Sequence, residues 1–173
     1  METNRLIIRT LTIQDAYDIF KNIHQDRKVQ ETFLAKYVEN FEDFHFDRTL
    51  DFFEKNRSFY YGIELKDTHE CIGMIFENDR INDEIEIGYA IGSNHWNKGY
   101  VSEALKVVVE ELKNREDCKR IFAGAFSENK ASLRVMEKCG MKYAYTIENE
   151  LEWHGKMHDC TYYEIIKEDT YAE

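Results

Sequence analysis

The sequence contains no proline. No loop can be set by proline's fixed φ, so turn shaping falls to the eight glycines. Long hydrophobic runs are also missing: nothing approaches the roughly 20 apolar residues of a membrane span, and the opening METNRLIIRT lacks the apolar stretch of a secretory leader. A soluble cytoplasmic protein is therefore expected, with no membrane partner. No C-x-x-C pair occurs among Cys71, Cys118, Cys139 and Cys160, which removes the usual zinc and redox patterns. The four read as reduced, mostly buried thiols, and no metal is expected. There is no Pro/Gly/Ser linker, low-complexity tract or internal repeat. A surplus of positive charge is missing too. Lysine plus arginine total 23 against 34 acidic residues, a formal net charge of -11. Such a field repels polyanions, so nucleic acid is not expected as a partner, and it mildly favours a basic one. Plain solubility accounts for the acidity equally well.

What is present is a globular composition, 43% hydrophobic, 33% charged and 14% aromatic over 173 residues. A chain of this size is expected to form one domain over residues 1–173, folding of which buries roughly 70% of the unfolded surface. The periodicity gives a mixed α/β order. NRLIIRTL (4–11) reads as a strand, Thr12 as a cap for a helix through DAYDIFKNI, and 41–56 as a second helix. SFYYGIEL (58–65), CIGMIFEN (71–78) and EIEIGYAI (84–91) are three consecutive strands suited to an antiparallel meander. A helix starting near Lys98 or Gly99 carries Val101, Ala104, Leu105, Val108 and Leu112 on one stripe. RIFAGAF (120–126), MKYAYTIE and KMHDCTYYEIIKE read as strands, with a helix over NKASLRVMEKCG stopped by Gly140. The strand-helix-strand order after residue 84 implies a parallel pair within an otherwise antiparallel sheet.

Two stretches invite a chemical reading. In HWNKGYVSEAL, Gly99 sits where a strand and short loop give way to a helix. Unpaired N–H groups and the macrodipole at a helix start bind phosphate, so this loop is a candidate pyrophosphate cradle; an ordinary turn would look the same. In EIEIGYAI, alternation puts Glu84, Glu86, Gly88 and Ala90 on one face, which leaves room beside Glu86 for a ligand.

EIGYAIGSNHWNKGYVSEAL followed by FSENKASLRVMEKCGMK resembles the acetyl-CoA signature of the GNAT superfamily of N-acetyltransferases. More narrowly, with NRLIIRTLTIQDA and EWHGKMHDCTYYEIIKED at the two ends, the chain is similar to the branch containing the ribosomal-protein N-terminal (alanine/serine) acetyltransferases and polyamine and antibiotic acetyltransferases. The resemblance implies a GNAT-like α+β fold: about seven strands, mostly antiparallel, with flanking helices and a splayed central parallel pair. It implies acetyl-CoA as cosubstrate, a pyrophosphate loop over Trp96, Asn97, Lys98, Gly99, Tyr100 and Val101, with Ser102 beyond it, and donor contacts along Tyr89, Ala90 and Ile91, with a bulge near residues 90 to 92 freeing backbone groups for the pantetheine. Asn97 and Val101 depart from the small residues common at their positions.

Acyl transfer to nitrogen needs a base for the amine proton, and Glu86 is the first candidate, with Glu84 second. Backbone N–H groups near Tyr89 to Ile91 would hold the oxyanion. In ENKASLRVMEKCG, Asn129 reads as a helix cap bonding the N–H of Ser132. The resemblance adds a pantetheine contact for Asn129 and places Ser132 near the CoA sulfur, where it would protonate the thiolate; Tyr163 is the alternative acid. Arg134 and Lys138 are candidates for the 3'-phosphate or a solvated face. His154 and His158 have H-x-x-x-H spacing, but Gly155 between them argues for a turn. Trp153, His154 and Gly155 are read as shaping the acceptor side; the aromatic-rich 33–61 region reads as an acceptor-binding lid or as ordinary core, with core favoured for most of its phenylalanines. The expected activity is acetyl transfer to a primary amine on a neutral or cationic acceptor, either a protein N-terminus or a polyamine or aminoglycoside-like amine. A CoA-binding module without catalysis is the competing reading, and monomer and homodimer both stay open.

Overall fold

A computed structural model describes residues 1–167 and divides the backbone into two compact units. The first comprises Met1–Glu77 and Gly88–Ala104; the second comprises Asn78–Ile87 and the chain from Leu105 onward. Seven strands and four α-helices are present among the described residues. The expected sheet, mostly antiparallel with one parallel pair, is therefore found.

In the first unit, β1 (Leu6–Thr10) runs antiparallel to β2 (Tyr60–Leu65), with Leu6 opposite Leu65. β2 pairs antiparallel with β3 (Cys71–Ile81), and β4 (Glu84–Ile91) follows in the strand order. Thr12 opens a short helical segment as anticipated, but its partner is reciprocal: the Asp15 carboxylate accepts the Thr12 N–H at 2.8 Å. The same carboxylate takes a two-pronged bond from the Arg9 guanidinium, whose Nε reaches Glu64 at 2.6 Å. Planar charge pairing of this kind lets two buried carboxylates sit beside the strand. The segment continues as α1 (Ala16–Ile19) and a π-turn through His24.

The second helix, α2, spans Phe46–Asn56 and does not begin at residue 41. Phe44 and His45 are non-helical, and the rings of Phe41 and Phe44 lie 5.4 and 5.8 Å from Phe20. Aromatic packing against Phe20 thus overrides local helical spacing. Leu11, Ile19, Ile23, Val29, Phe46, Phe53 and Met74 form the core here, with Phe33, Phe44 and Phe76 packed against it. Most phenylalanines of 33–61 are core as expected, although Phe41 and Phe52 are exposed.

The second unit begins inside β3, which runs to Ile81 and turns back into β4 through Asn82 and Asp83. Asn82 has φ +55°, a conformation asparagine tolerates better than most residues. β4 pairs in parallel with β5 (Arg120–Phe126) over three positions, Glu84 with Arg120 through Glu86 with Phe122. Between them in sequence lies α3 (Tyr100–Lys113), whose Leu105, Val108, Val109 and Leu112 are buried. Each side chain of that size contributes about 1.5–3 kcal/mol on burial. α4 (Lys130–Lys138) ends at Gly140, which has φ +84°. β6 (Lys142–Trp153) and β7 (Lys156–Ile166) form a long hairpin, and β7 pairs antiparallel with β5. The hairpin turn consists of His154 (φ +50°) and Gly155 (φ +75°), so the H-x-x-x-H spacing spans a turn.

Candidate active site

The candidate donor loop lies in the first unit. Gly92 starts it, with its N–H bonded to the Ile72 carbonyl and no room for a Cβ, which would sit 2.8 Å from Asn22 Oδ1. Ser93 N–H is taken by Asp26, and the Trp96 indole reaches back to donate to the Ile91 carbonyl at 3.0 Å. Ile91 C=O and Gly92 N–H therefore have partners inside the protein.

Asn97 and Gly99 both adopt left-handed backbone, at φ +59° and +79°. This explains the departure at Asn97. After glycine, asparagine is among the residues that occupy this region most readily, so the loop keeps its path. Gly99 closes the loop by accepting the Glu103 N–H, the first bond of α3. Among the described residues, a Cβ at Gly99 would meet Arg5 Nη2 alone, at 3.5 Å. The loop from Trp96 to Gly99 is exposed and leads into a helix of 14 residues, a geometry that suits a phosphate approaching the backbone. Val101 and Ser102 lie half-buried in the first turn.

Arg5 was not singled out from sequence. It pairs with Glu103 at 2.7 Å and lies 4.4 Å over the Tyr100 ring, which sets a guanidinium beside Gly99. Its separation of more than ninety residues from Gly99 hides this link from any local pattern.

The space anticipated beside Glu86 at Gly88 is filled. A Cβ on Gly88 would lie 2.5 Å from the Phe76 ring, which packs with Phe33 and Phe53. Gly88 thus makes room for an aromatic side chain of its own unit. Gly88→Ala should destabilise the fold by about 1–3 kcal/mol through overpacking, read as a lower denaturant midpoint. An unchanged midpoint would mean that the Phe76 ring can move aside.

Glu86 itself lies in the second unit and is half-buried. Burial pushes its carboxyl above the usual carboxylate range; Asn78 Nδ2, donating at 3.0 Å, works against the rise, and the charges of Asp79 and Glu150 add to it. Glu84 differs. Arg120 clasps it at 2.7 Å while bonding Glu164 at 2.6 Å, so Glu84 is held in an ion-pair bridge across three strands. Asn78, Glu150 and Tyr162 are the neighbours that sequence reading missed. Tyr162 donates to Glu150 Oε1 at 2.8 Å and lies over Gly124, opposite it in the β5–β7 register; a Cβ there would fall 2.6 Å from the ring.

Also in the second unit, Asn129 caps α4 as expected: its Oδ1 accepts the Ser132 N–H at 3.2 Å. A pantetheine contact would then use its NH₂. Ser132 is half-buried in the first turn, and Arg134, exposed, bonds the Lys130 carbonyl. Tyr163 is buried, and its hydroxyl donates to Glu137 on α4 at 2.9 Å, a packing arrangement. His158 stacks on Phe126 at 4.2 Å. Among the described residues, no helix is long and apolar enough to cross a membrane.

Comparison with known proteins places these features. A family model described as an acetyltransferase (GNAT) domain matches residues 5–142. The uncharacterized N-acetyltransferase YoaA of Bacillus subtilis (strain 168) is 31% identical over 176 aligned positions, covering 96% of each chain. A GNAT-family acetyltransferase structure from Bacillus anthracis superposes with a TM-score of 0.80 at 26% identity, over 96% of this chain and 97% of that one. The ribosomal-protein-S5-alanine acetyltransferase of Vibrio fischeri gives 0.83 at 19%, over 98% and 97%. Spermidine N-acetyltransferase of Vibrio cholerae, in complex with CoA and spermine, gives 0.80 at 17%, over 95% and 96%. These last two likenesses concern the fold.

Proposed function

We propose, from the premise that this chain belongs to the GNAT acetyltransferase family and is an acetyl-CoA-dependent N-acetyltransferase, that it acts as a single catalytic domain transferring acetyl directly to a protein N-terminal α-amine followed by neutral or basic residues. The observation that carries the catalytic part is Glu86: a half-buried carboxylate with raised proton affinity, oriented by Asn78 and, among the described residues, not clasped by a cation as Glu84 is. Glu86 takes the proton of the ammonium form. The neutral nitrogen attacks the thioester carbon and the C–N bond forms; as the C–S bond breaks, the thiolate takes the Ser132 hydroxyl proton, and the second proton of the attacking nitrogen passes to the Ser132 oxygen, which leaves a neutral amide, free CoA thiol and the first proton on Glu86. The loop from Trp96 to Val101 with Ser102 holds the pyrophosphate, Tyr89 to Ile91 the pantetheine and oxyanion, and Asn129 and Arg134 the rest of the donor.

The choice of amine follows from proton affinity and charge. Lysine-like amines ionise near 10.4 and α-amines near 8, so deprotonation at neutral pH costs roughly 4.6 and 1.4 kcal/mol respectively. An α-amine is the easier acceptor. The net charge of -11 adds attraction for a cationic chain. A second reading, a polyamine or aminoglycoside-like acceptor, is favoured by the spermidine acetyltransferase likeness.

An acceptor panel tests both: basic and acidic peptides with free N-termini, spermidine and an aminoglycoside, each with acetyl-CoA. Basic peptides should be acetylated fastest. Their apparent KM should rise as salt goes from about 0.05 to 0.5 M, because screening shortens the field to a few Å. Fastest turnover with acidic peptides, or indifference to salt, would overturn the charge argument. No turnover with any acceptor alongside intact CoA binding would favour a binding module.

A further inference from the structure

The hairpin of β6 and β7 breaks its register between Ile147 and Leu151. Asn149, inside the break, has φ +48°, and its N–H is fixed by Asp159 Oδ1 at 2.8 Å. A bulge of this kind re-aims the side chain next to it, and bulges recur beside functional sites. Here the re-aimed side chain is Glu150. Tyr162 holds its Oε1, its other oxygen is buried without a nitrogen or oxygen donor among the described residues, and the buried Cys160 thiol lies against the same carboxylate. Tyr162 is itself fixed by stacking on Tyr145 at 4.9 Å and by the missing Cβ of Gly124. A buried carboxylate oxygen without a nitrogen or oxygen donor is unfavourable for stability, which calls for a role that offsets it.

We propose that Glu150 is a positioning residue for Glu86: the bulge and Tyr162 hold its carboxylate close enough for its negative charge to strengthen Glu86 as a base. The inference rests on the reading of Glu86 given above. Among the described residues, the groups around Glu86 are few. β3 supplies Asn78, which donates to it, and the carboxylate of Asp79. On its own strand Glu84 is neutralised by Arg120 from β5, which also binds Glu164 from β7. β6 supplies Glu150, and β7 supplies the Tyr162 phenol. Glu86 lies opposite Phe122 in the β4–β5 register, and the Tyr162 ring covers Gly124 two residues along β5 on the same face, so the Tyr162-bound carboxylate of Glu150 is held on the sheet face that carries Glu86. Of the two neighbouring negative charges, Asp79 and Glu150, Glu150 is the one locked by a bulge.

The test pairs an equilibrium titration with kinetics. Protein carrying ¹³C-labelled glutamate carboxyls is titrated by NMR, with Glu86 assigned by loss of its signal in Glu86→Gln. Glu150→Gln keeps the shape and can still accept from Tyr162. It should lower the Glu86 midpoint by about half a pH unit or more, the scale of two charges interacting at several Å in a half-buried site. Glu150→Asp, which restores the charge, should return part of the shift. With acetyl-CoA and either spermidine or an alanine-initiated basic peptide as probe acceptor, the acid limb of kcat/KM should move by the same amount, with kcat lowered and the acceptor KM little changed. A Glu86 midpoint that stays put in folded Glu150→Gln protein overturns the coupling. A midpoint that moves while the rate profile does not overturns Glu86 as the base, and with it any catalytic role for Glu150.

Discussion

Replacing Glu86 by glutamine should lower turnover on the order of 10²-fold or more, the usual contribution of a positioned base, while CoA affinity is retained. The same variant should melt slightly higher than the parent at neutral pH. Burial raises the Glu86 carboxyl above its ordinary value, so the folded state holds that proton more tightly than the unfolded chain does. Its contribution to stability is therefore full below the ordinary carboxylate range and is lost as pH rises through the raised value. At neutral pH the ionised group is a burden that glutamine does not carry, and the difference in melting temperature should close as pH falls. Loss of activity with a gain in stability is the pattern of a group kept for function. Turnover by stopped assay and melting by calorimetry at several pH values check both halves. Full activity at neutral pH would move the base elsewhere, with Glu84 disfavoured by its bond to Arg120.

Gly99→Pro should lower CoA affinity by about tenfold or more. Two effects act together. Proline removes the N–H at the centre of the loop, and a charge-assisted bond to phosphate contributes roughly 1.5–3 kcal/mol. Its ring also fixes φ near -65°, whereas Gly99 sits at +79°, so the path from Asn97 into α3 must be rebuilt. Calorimetric titration with CoA reads the loss, and circular dichroism establishes that the protein is folded. Lys55→Ala is a suitable control, since Lys55 is an exposed residue of α2 paired only loosely with Asp51 at 3.6 Å. Asn97→Gly, which suits a φ of +59°, should leave CoA binding nearly unchanged. Undiminished affinity in folded Gly99→Pro protein would remove the phosphate from this loop.

Strands with strict alternation and clear turn residues were legible in the sequence to the residue, as β4 and β5 illustrate. The caps at Asn129 and Gly140 were legible too, because each is a local bond or a local conformation. Residues 41–45 were not, since their rings answer to Phe20, more than twenty positions away. The site divides along the same line. The glycine loop and Glu86 are carried by contiguous motifs, whereas Arg5, Asn78, Glu150 and Tyr162 arrive through strand pairing and long-range bonds. Gly88 shows the converse. Its smallness was legible but its purpose was not, because Phe76, which fills the space, belongs to another strand.

The four buried thiols offer a way to watch the protein breathe. Burial pushes Cys71 to about 12, Cys139 to about 11 and Cys160 to about 12, and raises Cys118 as well. At neutral pH almost none is a thiolate, and all four are shielded, so a maleimide can react only after the backbone around a thiol has opened. Cys71 belongs to the first unit and the other three to the second. Mass spectrometry of timed labelling therefore gives an opening rate for each unit separately, from one native sample and without an engineered probe.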